Sequence, residues 1–329
     1  MKSFEYHRAT QVAQAVALLT RHGDRAAILA GGSDMLAFMK DRVEGPKLHL
    51  PEHVIDVNGI KNLGGIRDHK GGLKIGATTT LSEIAASPLV ASRYPLLSTA
   101  AGQVGVPQIR NVGTLGGNLC QRPRCWYFRG RPFTDCLRKG GGDCYAQDGE
   151  NQYHAIFGAG TCAMVCPSDL ASALTALNAG AEIATTKGNR MIPVEQLYLR
   201  PEKNVLRETA LGPGEMLLGV DIPAPATGSR GIYLKLKERQ VFDFAVASVA
   251  AVVTLRQHLV SEARLVLGGV AATPFRAKDA ETAVKGKRIE EAIPAACAVC
   301  AEKAQPLRHN AYKVKAVKGL MEQALSSVA

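Results

Sequence analysis

Apolar positions recur at helical spacing in "TQVAQAVALLTRH" (Thr10–His22), with Thr10 as a candidate N-cap. "AAILAGGSDMLAFMKDR" (Ala26–Arg42) then changes character twice, from an apolar run to a glycine turn to a second helical pattern. That is the signature of strand, turn and helix. "HVIDVNGI" and "GLKIGATTTLSEIA" supply another strand and a strand–helix junction, at which Thr80 or Ser82 can cap the helix. "PSDLASALTALNAGAEI", "NRMIPVEQLYL" and "EMLLGVDIP" continue the alternation of helix and strand. Beyond the small-residue linker "APATGS", the runs "GIYLKLKERQ", "DFAVASVAAVVTL" and "SEARLVLGGVA" predict an antiparallel sheet, with a helix inside its first pair. Two amphipathic helices, "IEEAIPAACAVCAEKA" and "AYKVKAVKGLMEQALSS", close the chain.

One stretch breaks the pattern. Between "RNVGTLGGNL" and "PSDL" the residues from Cys120 to Cys166 show no sustained period and include "KGGGD". A loop of this length inside a compact domain is unusual unless something orders it. Six of the chain's eight cysteines lie in it.

Composition adds little until charge is counted. The chain has 329 residues, enough for two domains, and no apolar run long enough to span a bilayer. Forty basic against 29 acidic residues give a net charge of +11. The basic residues are dispersed, without a basic helix or aromatic interleaving, so nucleic acid is not the expected partner. A basic Fe–S or zinc nucleic-acid-binding protein is the competing reading from a different class. It leaves the glycine loops unexplained. The opening "MKSFEYHRAT" has neither the charged nor the apolar region of a signal peptide. Synthesis in a reducing compartment is therefore expected, where dense cysteines more often mean metal or redox chemistry than disulfides.

Two glycine loops carry candidate binding chemistry. In "LAGGSDML" (Leu29–Leu36) glycines and short polar residues join a strand to a helix, where backbone N–H groups can face an anion. A tight strand–helix turn has the same composition. "QIRNVGTLGGNL" (Gln108–Leu119) offers Thr114, Gly116, Gly117 and Asn118 in a similar loop. Together the loops suggest one extended ligand of dinucleotide size lying between them. Ser168 and Asp169 start a helix, as an N-cap does, and Asp169 could also accept from a sugar diol. No Ser-His-Asp set, histidine pair or paired carboxylate site stands out, and the eight histidines are scattered.

"LAGGSDML", "IRNVGTLGGNL", "PSDLASALTALNA", "GEMLLGVDIP" and "YLKLKER…DFAVASVAA" occur in this order. In them the chain resembles, over essentially its whole length, the FAD-binding medium subunit of the molybdenum hydroxylases: xanthine dehydrogenases, aldehyde oxidoreductases and carbon monoxide dehydrogenases. The resemblance implies an α/β (α+β) architecture. A two-subdomain FAD-binding fold of the vanillyl-alcohol-oxidase/PCMH type would span residues 1–225, with subdomains at about 1–56 and 57–225 and an insertion at about 120–166. A smaller C-terminal α/β domain of the CO dehydrogenase flavoprotein type would follow at 226–329. It further implies that Ile28, Leu29, Ala30, Gly31, Gly32, Ser33, Asp34 and Met35 wrap the FAD pyrophosphate. Thr114, Gly116, Gly117 and Asn118 would approach flavin and phosphate, Asp169 the ribitol or ribose, Leu217 a cofactor ring, and Lys235 the flavin. Ordinary core for Leu217 and a solvated strand position for Lys235 are the bland alternatives.

The long insertion is similar to that of a minority branch, the hydroxybenzoyl-CoA reductase type and certain periplasmic aldehyde oxidoreductases, in which it binds a [4Fe–4S] cluster. By position relative to "GGNL" and "PSD", the resemblance assigns Cys125, Cys136, Cys144 and Cys162 as ligands and leaves Cys120 and Cys166 as buried thiols. The intervening lengths of ten, seven and seventeen residues contain no C-x-x-C, unlike a zinc ribbon or a ferredoxin. Cys297 and Cys300 do form one, but within a helical pattern that reads as packing. The implied function is electron transfer between FAD, an external acceptor and two partners, a molybdenum-cofactor large subunit and a [2Fe–2S] small subunit. A flow from ferredoxin toward molybdenum is the alternative. Location is expected to be cytoplasmic, or periplasmic by co-export with a signal-bearing partner.

Overall fold

The computed structural model describes residues Met1–Ala329. The chain opens with β1 (Glu5–Arg8), α1 (Val12–His22), β2 (Ala26–Leu29), α2 (Met35–Lys40) and β3 (His53–Asp56). These strands form a parallel sheet in the order β1-β3-β2. Such parallel pairing requires the crossovers that α1 and α2 provide. α1 begins one residue later than Thr10 would cap it. Gln11 occupies the N-cap without a side-chain bond, and the Thr10 N–H donates instead to Gln14 Oε1 at 3.0 Å.

β4 (Ile66–His69) and β5 (Gly72–Gly76) lead into α3 (Leu81–Ala86), α4 (Pro88–Arg93), α5 (Pro95–Gly102), α6 (Pro107–Val112) and α7 (Leu115–Leu119). Thr80 caps α3 in a reciprocal box with Glu83. After the cysteine stretch, with its single α-helical turn α8 (Trp126–Arg129), come α9 (Asp169–Ala176), β6 (Gly180–Thr185), β7 (Gly188–Pro193) and β8 (Met216–Ile222). The second sheet runs β4-β5-β8-β6-β7 and is antiparallel throughout. Its apolar face, with Leu73, Ile75, Ile183 and Val220, packs on α3, α5 and α9 to form the largest core.

β9 (Ser229–Leu236), β10 (Ala247–Arg256), β11 (Leu259–Gly268) and β12 (Phe275–Arg276) make the third sheet, antiparallel as the pattern predicts. α10 (Lys278–Val284), α11 (Ile289–Val299) and α12 (Tyr312–Ser327) cover one face through Val249, Ala251, Leu265 and Leu267. Tyr233, Ala250 and Val266 join the central core on the other. With both faces covered, β10 reads as a nearly unbroken apolar run rather than an alternation. The helix expected between β9 and β10 is not formed. Asp243 instead accepts from the N–H groups of Arg239 and Phe244, and Phe242 has φ +49°, a tight turn that helical geometry cannot accommodate. Cys297 and Cys300 lie in and just after α11 against the C-terminal core, as packing thiols.

What orders the cysteine stretch is largely the C-terminal domain. Ile156 and Phe157 enter its core, where Phe157 stacks on Phe275 at 4.0 Å. Gln305 N donates to Ile156 O, and Cys166 N to Ala271 O. The fully buried Lys313 donates to three carbonyls, Tyr153, His154 and Gly269, at 2.8–3.0 Å. Burial pushes its amine down to about 7, against three acceptors that match the three donors of an ammonium. Lys313→Met is expected to strand these carbonyls and cost about 2–4 kcal/mol, measured as a lower denaturant midpoint of the full chain.

Candidate functional site

A cavity of about 810 Å³ opens between the first sheet and the second. Pockets that hold cofactors span roughly 300–1,000 Å³, and this one lies in the upper part of that range. The turn after β2 and the start of α2 form one wall, with Ile28, Ala30, Gly31, Gly32, Ser33, Asp34 and Met35. Thr114, Gly116, Gly117 and Leu217 form the other, and an arm from Asn204 to Gly214 contributes to the rim. Leu29, Asn118, Asp169 and Lys235 do not line the cavity.

The glycines have separate reasons. Gly32 has φ +71°, which glycine adopts without strain. A Cβ on Gly31 would lie 1.7 Å from the Val112 carbonyl oxygen, so its bare backbone lets the two glycine loops touch. Thr114 caps α7 by accepting from Gly117 N. Ser168 caps α9 and donates to Asn118 Oδ1 at 2.6 Å, tying the second glycine loop to the helix that starts at Asp169.

Asp169 and Lys235 meet each other. Lys235 Nζ lies 2.6 Å from Asp169 Oδ2, with the two side chains 1% and 6% exposed. Tyr233 donates to Asp169 Oδ1 at 2.6 Å, and Lys235 also donates to Gln103 O at 3.2 Å. Asp34 is likewise engaged by protein. It accepts from Arg122 N and from the guanidinium groups of Arg124 and Arg129 at 2.7–2.8 Å. Its carboxylate therefore fastens the first glycine loop to the cysteine stretch.

Cys125, Cys136, Cys144 and Cys162 line one small pocket with Arg138, Phe128 and Met164. The protein bears on each thiol with backbone N–H groups: Tyr127 and Phe128 on Cys125, Arg138 and Lys139 on Cys136, Ala146 and Ala163 on Cys144, and Met164 on Cys162. His154 Nε2 lies 3.2 Å from Cys125 Sγ. Cys120 lies on the wall of the larger cavity, while Cys166 belongs to the central core. Burial pushes both of these thiols up to about 12 and Cys125 up to about 11. Cys144 moves the other way, downward, because the Cys162 thiol donates to it, and that same bond drives Cys162 up.

One feature favours an anionic group here. Arg138 is 1% exposed, and its Nε and Nη2 have no partner, although it lines the thiol pocket. A buried cation with unused donors fits an anionic metal–thiolate centre. Moreover, no three of the four sulfurs fall within 4.8 Å of one another. A tetrahedral zinc ion with Zn–S near 2.3 Å needs sulfurs only about 3.8 Å apart, so the set is too open for zinc as it stands. Glu208 joins the two regions through ion pairs to Arg138 at 2.7 Å and to Arg122, on the cavity wall, at 2.8 Å.

Sequence reading did not find Arg122, Arg138, Glu208 or His154. Each acts through a partner distant in the chain, and Arg138 is 70 residues from Glu208. Five arginines stand between positions 122 and 138, but they read as surface charge until the pairing is known.

Residues 2–225 match the FAD binding domain in molybdopterin dehydrogenase, and residues 232–328 the CO dehydrogenase flavoprotein C-terminal domain. The chain is 35% identical to the aldehyde oxidoreductase FAD-binding subunit PaoB of Escherichia coli (strain K12), over 99% of this chain and 98% of that one. It is 31% identical to the carbon monoxide dehydrogenase medium chain of Hydrogenophaga pseudoflava, over 98% of this chain and 96% of that one. In structure it resembles a chain of a Cu,Mo-CO dehydrogenase in its cyanide-inactivated form, with a TM-score of 0.78 at 28% identity over 100% of this chain and 99% of that one. The cavity between two glycine loops, the three-sheet architecture and these similarities agree: the chain belongs to the FAD-binding medium subunits of the molybdenum hydroxylase family, as an oxidoreductase subunit.

Proposed function

We propose that this chain is the FAD- and [4Fe–4S]-carrying electron-transfer subunit of a molybdenum hydroxylase that oxidises an aldehyde or an N-heterocycle. The observation that carries the cluster is the meeting of four thiols, 37 residues apart from first to last (162 − 125), around Arg138, whose Nη1 pairs with Glu208 while its Nε and Nη2 have no partner. Cys125, Cys136, Cys144 and Cys162 would hold it, with their N–H donors and Arg138 offsetting its negative charge. A bound cluster would supply one-electron transfer, and FAD would supply the exchange between single electrons and an external acceptor's pair.

The residues of the chain have their own parts in this reading. Gly31, Gly32 and Ser33 present backbone to the pyrophosphate, with Ile28, Leu29, Ala30, Asp34 and Met35 shaping that loop. Thr114, Gly116, Gly117 and Leu217 would serve the flavin end from the cavity wall, while Asn118 and the Asp169–Lys235 pair, off that wall, would act through the loop and helix that Ser168 ties together. The Arg122–Glu208–Arg138 string holds cavity and thiol pocket in fixed relation, which suits electron exchange between them. Partners are a molybdenum-cofactor large subunit and a [2Fe–2S] small subunit. The complex is proposed to be cytoplasmic, or periplasmic by export with a signal-bearing partner; no helix is long and apolar enough to cross a membrane.

One observation favours reversed flow, as in a hydroxybenzoyl-CoA reductase-like enzyme fed by ferredoxin. Cys125 also lines an outer cavity of about 380 Å³ with Arg124, Trp126, Tyr153 and Phe244, which places the thiol pocket beside the surface. The test is anaerobic isolation of the complex, with flavin, iron and sulfide assays, followed by mixing with ferredoxin or with an aldehyde. One FAD and about four irons beyond the paired [2Fe–2S] clusters support the reading. Flavin without that iron removes the cluster and leaves the FAD subunit. Bleaching by aldehyde rather than by reduced ferredoxin favours the hydroxylase direction.

Gly31→Ala tests the cavity directly. Its methyl group overlaps the Val112 carbonyl and must push the loops apart. FAD per chain is expected to fall by at least about tenfold, with Gly160→Ala, which meets nothing within 4 Å, as the unaffected control.

A further inference from the structure

A second set of ligating side chains lies on the first sheet, outside the cavity and the thiol pocket. β1 and β3 pair in parallel with Glu5 opposite His53. Side chains two apart on a strand share a face, so Glu5 and His7 project together, beside His53. α1 ends at His22, which completes the group from above the strands. His7 Nε2 lies 3.2 Å from His53 Nδ1, and the His22 ring sits 3.6 Å from that of His53. One ligand nitrogen from each ring lies within 4.8 Å of the others. The Glu5 carboxylate approaches His7 at 3.5 Å and His53 at 3.4 Å.

No backbone carbonyl accepts from any of the three rings. His7 Nε2 and His53 Nδ1 are close enough to share one N–H, and the Glu5 carboxylate is the group that faces both. A tetrahedral ion bound through nitrogen at about 2.0–2.1 Å sets its ligand atoms about 3.3–3.4 Å apart, close to the His7–His53 separation. Three imidazoles and one carboxylate form the nitrogen and oxygen donor set of a borderline divalent ion. Glu5 supplies the negative charge that a histidine-only site lacks.

We propose that His7, His22 and His53, with Glu5, form a divalent-cation site of the Zn²⁺ class that staples β1, β3 and the C-terminal end of α1. Its ligands come from three elements that are apart in the unfolded chain, so the ion favours the folded first subdomain. The site is independent of FAD and of the cysteine pocket.

The test uses the full chain with its cofactors, freed of loose metal by brief chelation and titrated with ZnCl₂ and with CoCl₂. One Zn²⁺ per chain is expected, with Co²⁺ giving ligand-field absorption free of thiolate charge transfer. His7→Ala and His53→Ala should each weaken Zn²⁺ binding by more than about 100-fold, beyond the ~10–100-fold cost of losing an outer partner. His258→Ala, in an exposed turn, should leave it unchanged. Equal affinity in the His7 and His53 variants overturns the site. So does thiolate charge transfer in the wild-type cobalt spectrum, which assigns the metal to cysteines, and so does the absence of binding. The wild-type spectrum decides even if a variant fails to fold.

Discussion

Replacing Cys136 by serine is expected to remove about four irons per chain while FAD is retained. Cys136 is buried beneath Phe128 and Phe38, and its thiol draws on the Arg138 and Lys139 N–H groups. A serine hydroxyl ionises far less readily than a thiol and is a poor ligand for iron, so the position cannot substitute in place. The FAD cavity has its own walls, and Cys136 is not among them. Iron and flavin should therefore separate in this variant. Cys120→Ser and Cys166→Ser are the informative controls, because neither thiol lines the pocket: Cys120 is half-buried on the wall of the larger cavity and Cys166 is buried in the central core. Iron, sulfide and flavin assays on anaerobically prepared complexes decide the matter. If Cys166→Ser loses the iron and Cys136→Ser keeps it, the ligand set proposed here is wrong.

What sequence could supply follows from how far each interaction reaches. Thr80 and Ser168 are legible as caps because a cap is settled within three residues, and both accept the expected backbone N–H; Thr114, which the sequence offers to a ligand, turns out to cap α7 as well. The strands of the third sheet are legible from β-branched and apolar runs. Gly31 and Asp34 are different. The sequence offers both to a ligand; Gly31 lines the cavity, yet its missing Cβ also makes room for Val112 O, and three arginines engage Asp34. Nothing within the first glycine loop announces partners that lie 81 (112 − 31) and 88 or more residues away. His7 and His53 read as scattered for the same reason, since parallel strand pairing joins them across 46 residues. The helix expected between β9 and β10 fails on a local competition, in which the Asp243 carboxylate offers the backbone a turn.

Lys235→Met should destabilise the FAD-loaded chain by roughly 3–5 kcal/mol, the usual cost of breaking a buried ion pair from one side. The substitution keeps most of the side-chain volume and removes the charge. Asp169 would then face a 6% exposed site with the Tyr233 hydroxyl as its remaining side-chain donor, and Gln103 O would lose its partner. Asp169→Asn/Lys235→Met should recover part of the loss, because no carboxylate is left uncompensated. A denaturant double-mutant cycle measures the coupling between the two residues directly, and a value above about 1 kcal/mol identifies the pair as the unit that matters. The flavin midpoint potential of the same variants supplies the second axis. If Lys235 serves the flavin chiefly through its charge, the potential drops in Lys235→Met and stays low in the double variant while stability barely changes. If the pair is chiefly architectural, stability falls first and the double variant restores it, with the potential nearly constant. The burial of both groups and the 2.6 Å separation favour the second pattern, in which the pair locks β9 to the start of α9.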